Sequence, residues 1–476
     1  MAVRYDLAIV GSGGAGFAAA ITARRLGASV VMVEAATVGG ACVNAACVPS
    51  KALLAAAEAR EVALTAQRFP GITATAGPVA MGDLIAGKEA LVLALRAGKY
   101  LDLADEYGWR ILAGTARFAG TRSAPVLDVD LHDGGTTRIE AARYLLATGS
   151  APTLPAVDGL AEAGYLTSAT AMQLDRLPAS MIVLGGGAVG LEQAQLFARL
   201  GTEVTVVESW GRLAPAEEPE VSQAIAQVFT GEDITVHTGA SATRVTRGGG
   251  HLTMMITDLS GTKKALKAEH LLAATGRRPV TAGLNLSGAG VETGDRGQIV
   301  VDAQLRTGNP RVFAAGDVTG APQFVYVAAR QGSIAADNAL TGAGRVFDDN
   351  HLPRVTFTSP AIASVGLTCR QAAQTGYVCD CRVLPLEAVP RAVVDRDTRG
   401  VIKLVADTTT GRLLGVHAVC DAAGELAATA VYALAANMTV AQVAELWCPY
   451  LTMAEGLKLA ALSFTRDVAK LSCCAV

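Results

Sequence analysis

The stretch Asp6-Leu-Ala-Ile-Val10-Gly11-Ser-Gly13-Gly-Ala-Gly16 decides the fold. A short apolar strand runs into three glycines spaced G-x-G-x-x-G, an Ala-rich helical stretch follows to about Leu26, and Ser29-Val-Val-Met-Val33 forms a second strand that ends at Glu34. This is the pattern of a βαβ unit, and each glycine has its own task. Gly11 permits the tight turn, Gly13 lets a pyrophosphate approach the backbone at the helix N-terminus, and Gly16 lets helix pack on strand. Glu34 then stands where ribose hydroxyls are held. In a chain with 51 glycines, a single run of this kind is also compatible with glycine punctuation alone.

The chain repeats the pattern. Met181-Ile-Val-Leu184 leads into Gly185-Gly-Gly187-Ala-Val-Gly190, a helical run reaches Leu200, and Glu203-Val-Thr-Val-Val207 ends at Glu208. In both copies the acid lies eighteen residues after the third glycine. Two matching units predict two dinucleotide sites, hence electron traffic between two nucleotides. Tyr144-Leu-Leu-Ala-Thr148-Gly149-Ser150 reads as a buried strand ending at a turn, and Leu271-Leu-Ala-Ala-Thr-Gly-Arg277 echoes it after the second unit. Pro152 and Pro155 mark a crossover, so the second unit is inserted into the first domain, which resumes near Arg277 and includes Val312-Phe-Ala-Ala-Gly-Asp317. From about Asn350 short strands such as Val401-Ile-Lys-Leu-Val405 and Leu414-Gly-Val-His-Ala-Val419 mix with helices, as in an α+β domain. The predicted class is α/β, with two Rossmann-like dinucleotide-binding domains and a third, α+β domain.

Composition narrows the function classes. The 476 residues suffice for two to four domains. At 51% hydrophobic and 17% charged the chain is globular, and 40 Lys plus Arg against 43 Asp plus Glu, with no basic block, argues against nucleic acid as a partner. The first residues lack the pattern of a secretory signal and no run reaches the ~18 uninterrupted apolar residues of a membrane span, so the expectation is a soluble, cytoplasmic protein with no membrane partner. Nine cysteines, an odd number, argue against a disulfide framework and require each spacing to be read alone.

Cys42-Val-Asn-Ala-Ala-Cys47 follows Gly39-Gly40, just after the first βαβ unit. Four intervening residues allow a helical turn to bring the sulfurs together, and neither zinc spacing nor a second CxxC accompanies them. A redox dithiol is the sharper reading and two buried thiols the plainer one. Cys379-Asp-Cys381 puts two thiols on one face of a strand, compatible with a metal site or with ordinary burial. His417, in an apolar strand, reads as a packed residue.

The run Gly39-Gly-Ala41-Cys42-Val-Asn-Ala-Ala-Cys47-Val-Pro-Ser-Lys51 resembles the redox signature of the pyridine nucleotide disulfide oxidoreductases, and the two glycine fingerprints, the two Ala-Thr-Gly turns and Ala315-Gly-Asp317 match it as well. The resemblance implies an FAD domain (1–150 and 275–345), an inserted NAD(P) domain (151–274) and a C-terminal dimerisation domain (350–476) of a homodimer. It implies that Gly11, Gly13, Gly16 and Glu34 hold the adenosine half of FAD and that Asp317 bonds the ribityl chain. Ala41, Ala116, Val325, Thr148, Gly149 and Arg277 complete that site, while Gly185, Gly187, Gly190, Glu208 and Arg212 hold NADH or NADPH. Lys51 pairs with Glu192 and stabilises negative charge at the flavin, unless it is a solvent-facing lysine.

The sub-branch is read at the C-terminus. Disulfide-reducing members, such as dihydrolipoamide dehydrogenase and glutathione reductase, carry a histidine acid/base before Pro-Thr; in Cys448-Pro-Tyr450-Leu-Thr-Met-Ala-Glu455, Tyr450 stands in its place. A phenol with an ordinary pKa near ~10 is a poor proton shuttle at neutral pH. The chain ends Cys473-Cys474-Ala-Val476, and two thiols on a tail suit capture of a soft ion such as Hg(II), although an accidental reactive tail has the same sequence. These features together resemble the mercuric reductases. The implied activity is FAD-dependent reduction of Hg(II), taken from small thiols, to volatile Hg(0). Cys473 and Cys474 of one subunit deliver the metal to Cys42 and Cys47 of the other, with Cys42 as interchange thiol and Cys47 as charge-transfer thiol. Tyr100 and Tyr450 then stand around the metal, Tyr100 having a plain reading as a packed ring. A disulfide reductase, or a flavoprotein that buffers metal without turnover, are the alternatives.

Two departures carry expectations. Ala46 replaces a glycine of the family's redox loop, which predicts a stiffer turn there. Glu208 favours the ribose 2′-hydroxyl of NADH over the phosphate of NADPH, with Arg212 four residues on as a counterweight. Some relatives carry an N-terminal metal-binding domain; this chain starts at the FAD region, so delivery is expected to fall to the tail or to another protein.

Overall fold

The computed structural model describes residues 4–471. Cys473 and Cys474 lie outside the described residues. The chain divides into two compact units, one of Met1–Ala52, Ile85–Thr153 and Gly276–Asp349, the other of Leu53–Leu84, Leu154–Thr275 and Asn350–Val476.

The first unit is built on a parallel sheet whose order runs Arg110–Gly120, Val30–Glu34, Arg4–Val10, Thr136–Leu146, Val312–Ala314. Alternation along the central strands sorts their side chains to the two faces. Leu7, Ile9, Val30 and Met32 enter one core with the helix Gly14–Arg25 and the helix Val325–Thr341, while Ala8, Val10, Val31 and Val33 enter another. Burial on both faces is why these strands read as unbroken apolar runs. The second core is closed by an antiparallel extension. The far halves of Arg110–Gly120 and Thr136–Leu146 pair with Pro125–Leu131, which carries Leu127 and Val129 inward at 0% exposure. Each such side chain contributes roughly 1.5–3 kcal/mol of burial. The helix Gly14–Arg25 ends with Arg24 and Arg25 in its last turn, where cations meet the negative end of the dipole, and Gly27 turns the chain at φ 78°.

The second unit repeats the plan. Four parallel strands run in the order His270–Ala273, Ser180–Leu184, Glu203–Val207, Thr235–His237, and an antiparallel three-stranded sheet of Ala240–Gly248, His251–Asp258 and Lys263–Ala268 packs its Val245, Leu252, Met254 and Ile256 into the same core as Ile182 and Leu184. The same unit holds a five-stranded antiparallel sheet, in the order Arg354–Thr356, Ala361–Gly366, Leu413–Cys420, Val401–Asp407, Cys379–Pro385. It is covered by the helices Ala423–Ala435, Val440–Glu445 and Glu455–Leu462. The expected α/β class with a third, α+β part is what the chain forms.

The segment Gly40–Leu64 is long and apolar enough to cross a membrane on length and composition alone. It is also the segment that carries both cysteines of the redox motif, together with Lys51, Glu58, Arg60 and Glu61.

Candidate functional site

The first glycine loop is shaped by two close approaches. Gly11, at φ 101°, lies so near the Ala147 carbonyl that a Cβ would stand 2.3 Å from its oxygen, and a Cβ on Gly16 would stand 2.2 Å from the Gly11 oxygen. Gly13 is different: it caps the helix Gly14–Arg25 without any side-chain hydrogen bond, and a Cβ there would meet only the Gly40 Cα, at 3.9 Å. Uncapped N–H groups at the positive end of a 12-residue helix, with open space in front, fit a pyrophosphate. The second loop has the same construction. A Cβ on Gly185 would stand 2.5 Å from the Ala274 oxygen, one on Gly190 1.9 Å from the Gly185 oxygen, and one on Gly187, which caps the helix Ala188–Leu200 without a side chain, would meet nothing within 4 Å. The residues present therefore fit two dinucleotides, one in each unit.

The acids are held alike. Glu34 accepts hydrogen bonds from the Ser12 N–H (2.9 Å), the Ser12 hydroxyl (2.5 Å) and the Ala36 N–H (2.7 Å). Glu208 accepts from the Gly186 N–H (2.6 Å), the Trp210 N–H (2.8 Å) and the Ser209 hydroxyl (3.1 Å). Arg212, the expected counterweight, donates to the carbonyls of Pro215 (2.9 Å) and Glu217 (2.7 Å).

The turn after the first βαβ unit seats the redox motif on the glycine loop. Gly39 and Gly40, at φ 103° and 66°, lead into the short helix Gly40–Asn44, and a Cβ on Gly40 would stand 2.6 Å from the Gly13 Cα. The Gly39 N–H donates to the Ser12 hydroxyl (3.0 Å), which itself donates to Glu34, so one serine ties acid, nucleotide loop and redox loop together. Asn44 donates to the carbonyls of Val38 and Gly40 (2.9 Å each) and accepts from Arg96 (3.1 Å), which fixes the turn between the cysteines. Ala46 is not among the described residues with positive φ. The backbone there demands no glycine, so Ala46 stiffens the turn without straining it.

Cys42 lies in that short helix and Cys47 opens the helix Cys47–Leu64, whose N-terminal N–H groups favour negative charge. Cys42 shares a hydrogen bond with Cys47, and this bond together with burial holds the Cys42 thiol far above its ordinary range, although Lys51 pulls the other way. Tyr100 completes the group. It packs edge-on against Phe17 at 4.7 Å, its ring carbon would lie 3.4 Å from a Cβ on Gly39, and burial followed by the two cysteines raises its phenol. A thiol pair in which one sulfur keeps its proton, beside a lysine and a half-buried tyrosine, can exchange ligands or electrons at one sulfur at a time.

Residues 5–332 match the family described as pyridine nucleotide-disulphide oxidoreductase, and residues 352–461 match its dimerisation domain. The chain belongs to this family. Mercuric reductase of Streptomyces lividans is 58% identical over 99% of this chain and 98% of that one, and mercuric reductase of Bacillus cereus 46% identical over 99% and 73%. Among solved structures, the Cu(II) complex of the HOCl-induced flavoprotein disulfide reductase RclA from Escherichia coli is similar with a TM-score of 0.85 at 28% identity, covering 98% of this chain and 100% of that one. LpdA from Mycobacterium tuberculosis has the same TM-score at 27% identity, with 98% and 100% covered.

The other expected site residues of this oxidoreductase are spread over both units. In the first, Asp317 accepts from the Ser150 hydroxyl (2.6 Å), and Arg277 donates to the Ser150 hydroxyl (2.8 Å) and carbonyl (2.6 Å), so Ser150 links the two. Thr148 donates to the Val280 carbonyl (2.6 Å), Gly149 turns at φ 71°, Val325 opens a helix 3.0 Å from where a Cβ on Gly14 would stand, and Ala116 is buried in register with Val129. Ala41 lies in the redox helix beside Cys42. In the second unit Glu192 is buried and accepts from the Phe357 N–H (2.9 Å), and Tyr450 is 47% exposed. His417 is fully buried, with Nε2 3.0 Å from the Leu367 carbonyl oxygen. Sequence reasoning misses the parts played by Ser12, Asn44, Arg96 and Ser150. Ser12 and Asn44 lie inside the quoted motifs, whereas Arg96 carries no local signal.

Proposed function

We propose that this protein reduces Hg(II) to Hg(0) with NAD(P)H and FAD and so serves mercury detoxification. The observation that carries the reading is the Cys42 and Cys47 pair seated on the first glycine loop, in a chain whose relatives named mercuric reductase match it along nearly its whole length. Residues 1–150 and 275–345 form the FAD region, with Gly11, Gly13, Gly16, Glu34, Ala41, Ala116, Thr148, Gly149, Asp317, Val325 and Arg277 around it. Residues 151–274 form the NAD(P) region, with Gly185, Gly187, Gly190, Glu208 and Arg212, and residues 350–476 form the dimerisation region of a cytoplasmic homodimer. Bound FAD supplies the two-electron relay from coenzyme to dithiol and metal.

The chain's own residues hold and pass the metal. Cys473 and Cys474 take Hg(II) from a small thiol and hand it to Cys42 and Cys47 of the partner subunit. Each exchange forms one S–Hg bond and breaks another, and the proton of the incoming thiol leaves with the departing one, so no strong general acid is required. Tyr450 in the place of a histidine is therefore compatible with turnover. Lys51, four residues past Cys47, would stabilise negative charge on the reduced flavin. Tyr100 and Tyr450 flank the bound ion. Glu208, with its carboxylate at the strand end, and Arg212, held on two backbone carbonyls, favour NADH.

The test is Hg(II)-dependent oxidation of NADH and NADPH, measured separately with excess small thiol and with detection of mercury vapour. Turnover with vapour, faster with NADH, is expected. Oxidation driven by lipoamide or glutathione disulfide, with none driven by Hg(II), would move the protein to the disulfide-reducing branch.

A further inference from the structure

A second thiol cluster lies in the other unit, away in sequence from the redox motif. The strand Cys379–Pro385 is the edge of the five-stranded sheet, and its Cys379 and Cys381, in register with Asp407 and Val405, share one face. Asp380 and Arg382 take the opposite face and pair with each other at 2.5 Å. The helix Cys369–Gln374 precedes this strand, started by Thr368, whose side chain and that of Gln371 form a capping box. The return of the chain through Gly376 brings the first residue of that helix onto the cysteine face: Cys369 Sγ is 3.2 Å from Cys379 Sγ and 3.0 Å from Cys381 Sγ. All three sulfurs lie within 4.8 Å of one another, and among the described residues no histidine or carboxylate joins the group.

We infer that Cys369, Cys379 and Cys381 form a trithiolate site for one soft, thiophilic, three-coordinate cation, separate from the Cys42 and Cys47 pair. The ligand set is all sulfur, which selects soft ions over hard ones. Its number is three: an ion such as Zn(II), which takes four ligands in closed sites, finds one too few, whereas a trigonal d10 ion is satisfied. A trigonal ion with bonds of roughly 2.3 Å to sulfur needs sulfurs roughly 4 Å apart, so the thiols have only to spread by about 1 Å. The three half-buried cysteines pack against a small apolar cluster of Ala372, Val405 and Leu414 with Leu367 and Tyr377, which offers no hard ligand to compete with the sulfurs. Taken from a complex with two glutathione thiolates, the ion forms three bonds to the chain's sulfurs and loses two to glutathione; two of the three thiol protons leave on the departing glutathiones, the third goes to solvent, and no electron moves. Burial, followed by Cys369, raises the Cys379 and Cys381 thiols above their ordinary range, and Lys403 acts on Cys381 in the opposite sense. Because none of these residues belongs to the redox motif, an ion held here is stored and not reduced.

The experiment uses the FAD-loaded full chain and Hg(II) as probe. Protein is loaded with Hg(II) in excess glutathione, then alkylated, and each cysteine is mapped by peptide mass. Cys369, Cys379 and Cys381 are expected to be protected together by the metal and labelled together without it. In parallel, loaded protein is treated with excess NADH or NADPH and desalted. The wild type is expected to retain one equivalent of mercury more per chain than the Cys379→Ser/Cys381→Ser variant, with flavin content equal in the two. Equal labelling with and without Hg(II), or a disulfide joining two of the three in freshly purified protein, overturns the inference. The mapping needs no variant and reads these three cysteines separately from Cys42 and Cys47, so it decides the matter even if the protein turns over no mercury.

Discussion

The two glycine units are the same machine with different surroundings. Gly11, Gly16 and Glu34 repeat as Gly185, Gly190 and Glu208, down to the N–H groups that each acid accepts, those of Ser12 and Ala36 in one and of Gly186 and Trp210 in the other. The second residue of the loop differs. Ser12 has a hydroxyl that reaches the Gly39 N–H, and Gly40 packs on Gly13, so the first loop is bolted to the redox motif. Gly186 has no side chain to offer, and Gly187 faces open space. A loop with a fixed neighbour suits a nucleotide that stays, and an open loop suits one that comes and goes. The difference lies in two residues and not in the fold.

The largest effect expected on this comparison comes from the third glycines. In Gly16→Ala and Gly190→Ala the new methyl meets a backbone carbonyl at 2.2 Å and 1.9 Å, and backbone cannot swing aside as a side chain can. Overpacking of this kind costs about 1–3 kcal/mol or more. Gly16→Ala is expected to be purified without flavin absorbance. Gly190→Ala should keep its flavin, reduced normally by dithionite, and lose at least tenfold in reduction by NADH. Loss of flavin from both variants would break the division of labour between the units.

A smaller effect is expected from Ser12→Ala, which removes the hydroxyl between Glu34 and Gly39. Loss of a hydrogen bond to a charged group costs about 1.5–3 kcal/mol, part of which Glu34 recovers through its bonds to the Ser12 and Ala36 N–H groups. Flavin should still bind, and the loosened redox loop should expose Cys42 to alkylation several-fold faster than in the wild type. Peptide-mapped alkylation rates decide it. An unchanged rate at Cys42 would mean that the packing of Gly40 on Gly13 seats the loop without help from the serine.

Most of this scaffold is legible in the sequence because its signals are local. A strand of Val and Ile, three glycines and an acid eighteen residues on lie within one short stretch, and the closeness of helix to strand comes from Gly16 itself. The antiparallel extensions are not legible, because Leu127-Asp-Val-Asp-Leu131, although it alternates, carries no sign that it pairs with the far halves of strands whose near halves belong to the parallel sheet. Cys379 and Cys381 are legible as a shared strand face, while Cys369 is not: a helix, a glycine turn and a strand have to fold before ten residues of separation become 3.2 Å between sulfurs. Tyr100 is reached only through the family resemblance, since nothing in Lys99-Tyr100 announces that its ring meets Phe17 and Gly39.

The smallest effect concerns the acid that anchors the start of each unit. Asp6 accepts from the Ser29 N–H (2.8 Å) and hydroxyl (2.7 Å), and Glu269 accepts from the Ala179 N–H (2.9 Å) and from Arg176 (2.6 Å). The Ser29 backbone bond, then its hydroxyl, hold the Asp6 carboxyl below its ordinary 3.8; the Ala179 backbone bond holds Glu269 below 4.5 although burial opposes it, with Arg176 assisting. A carboxyl depressed on folding stabilises the native state above its unfolded value, and that contribution disappears as pH falls through the folded one. Both groups are close to solvent, so screening keeps each contribution to about 1 kcal/mol or less. Asp6→Asn and Glu269→Gln should therefore lower the urea midpoint slightly at pH 7, and the gap to the wild type should close as pH falls below the unfolded carboxyl values and on through the lower folded ones. If the two units open independently, Asp6→Asn should shift the loss of flavin fluorescence quenching while Glu269→Gln shifts only the far-ultraviolet transition. A common shift in both signals would mean that the two units unfold as one.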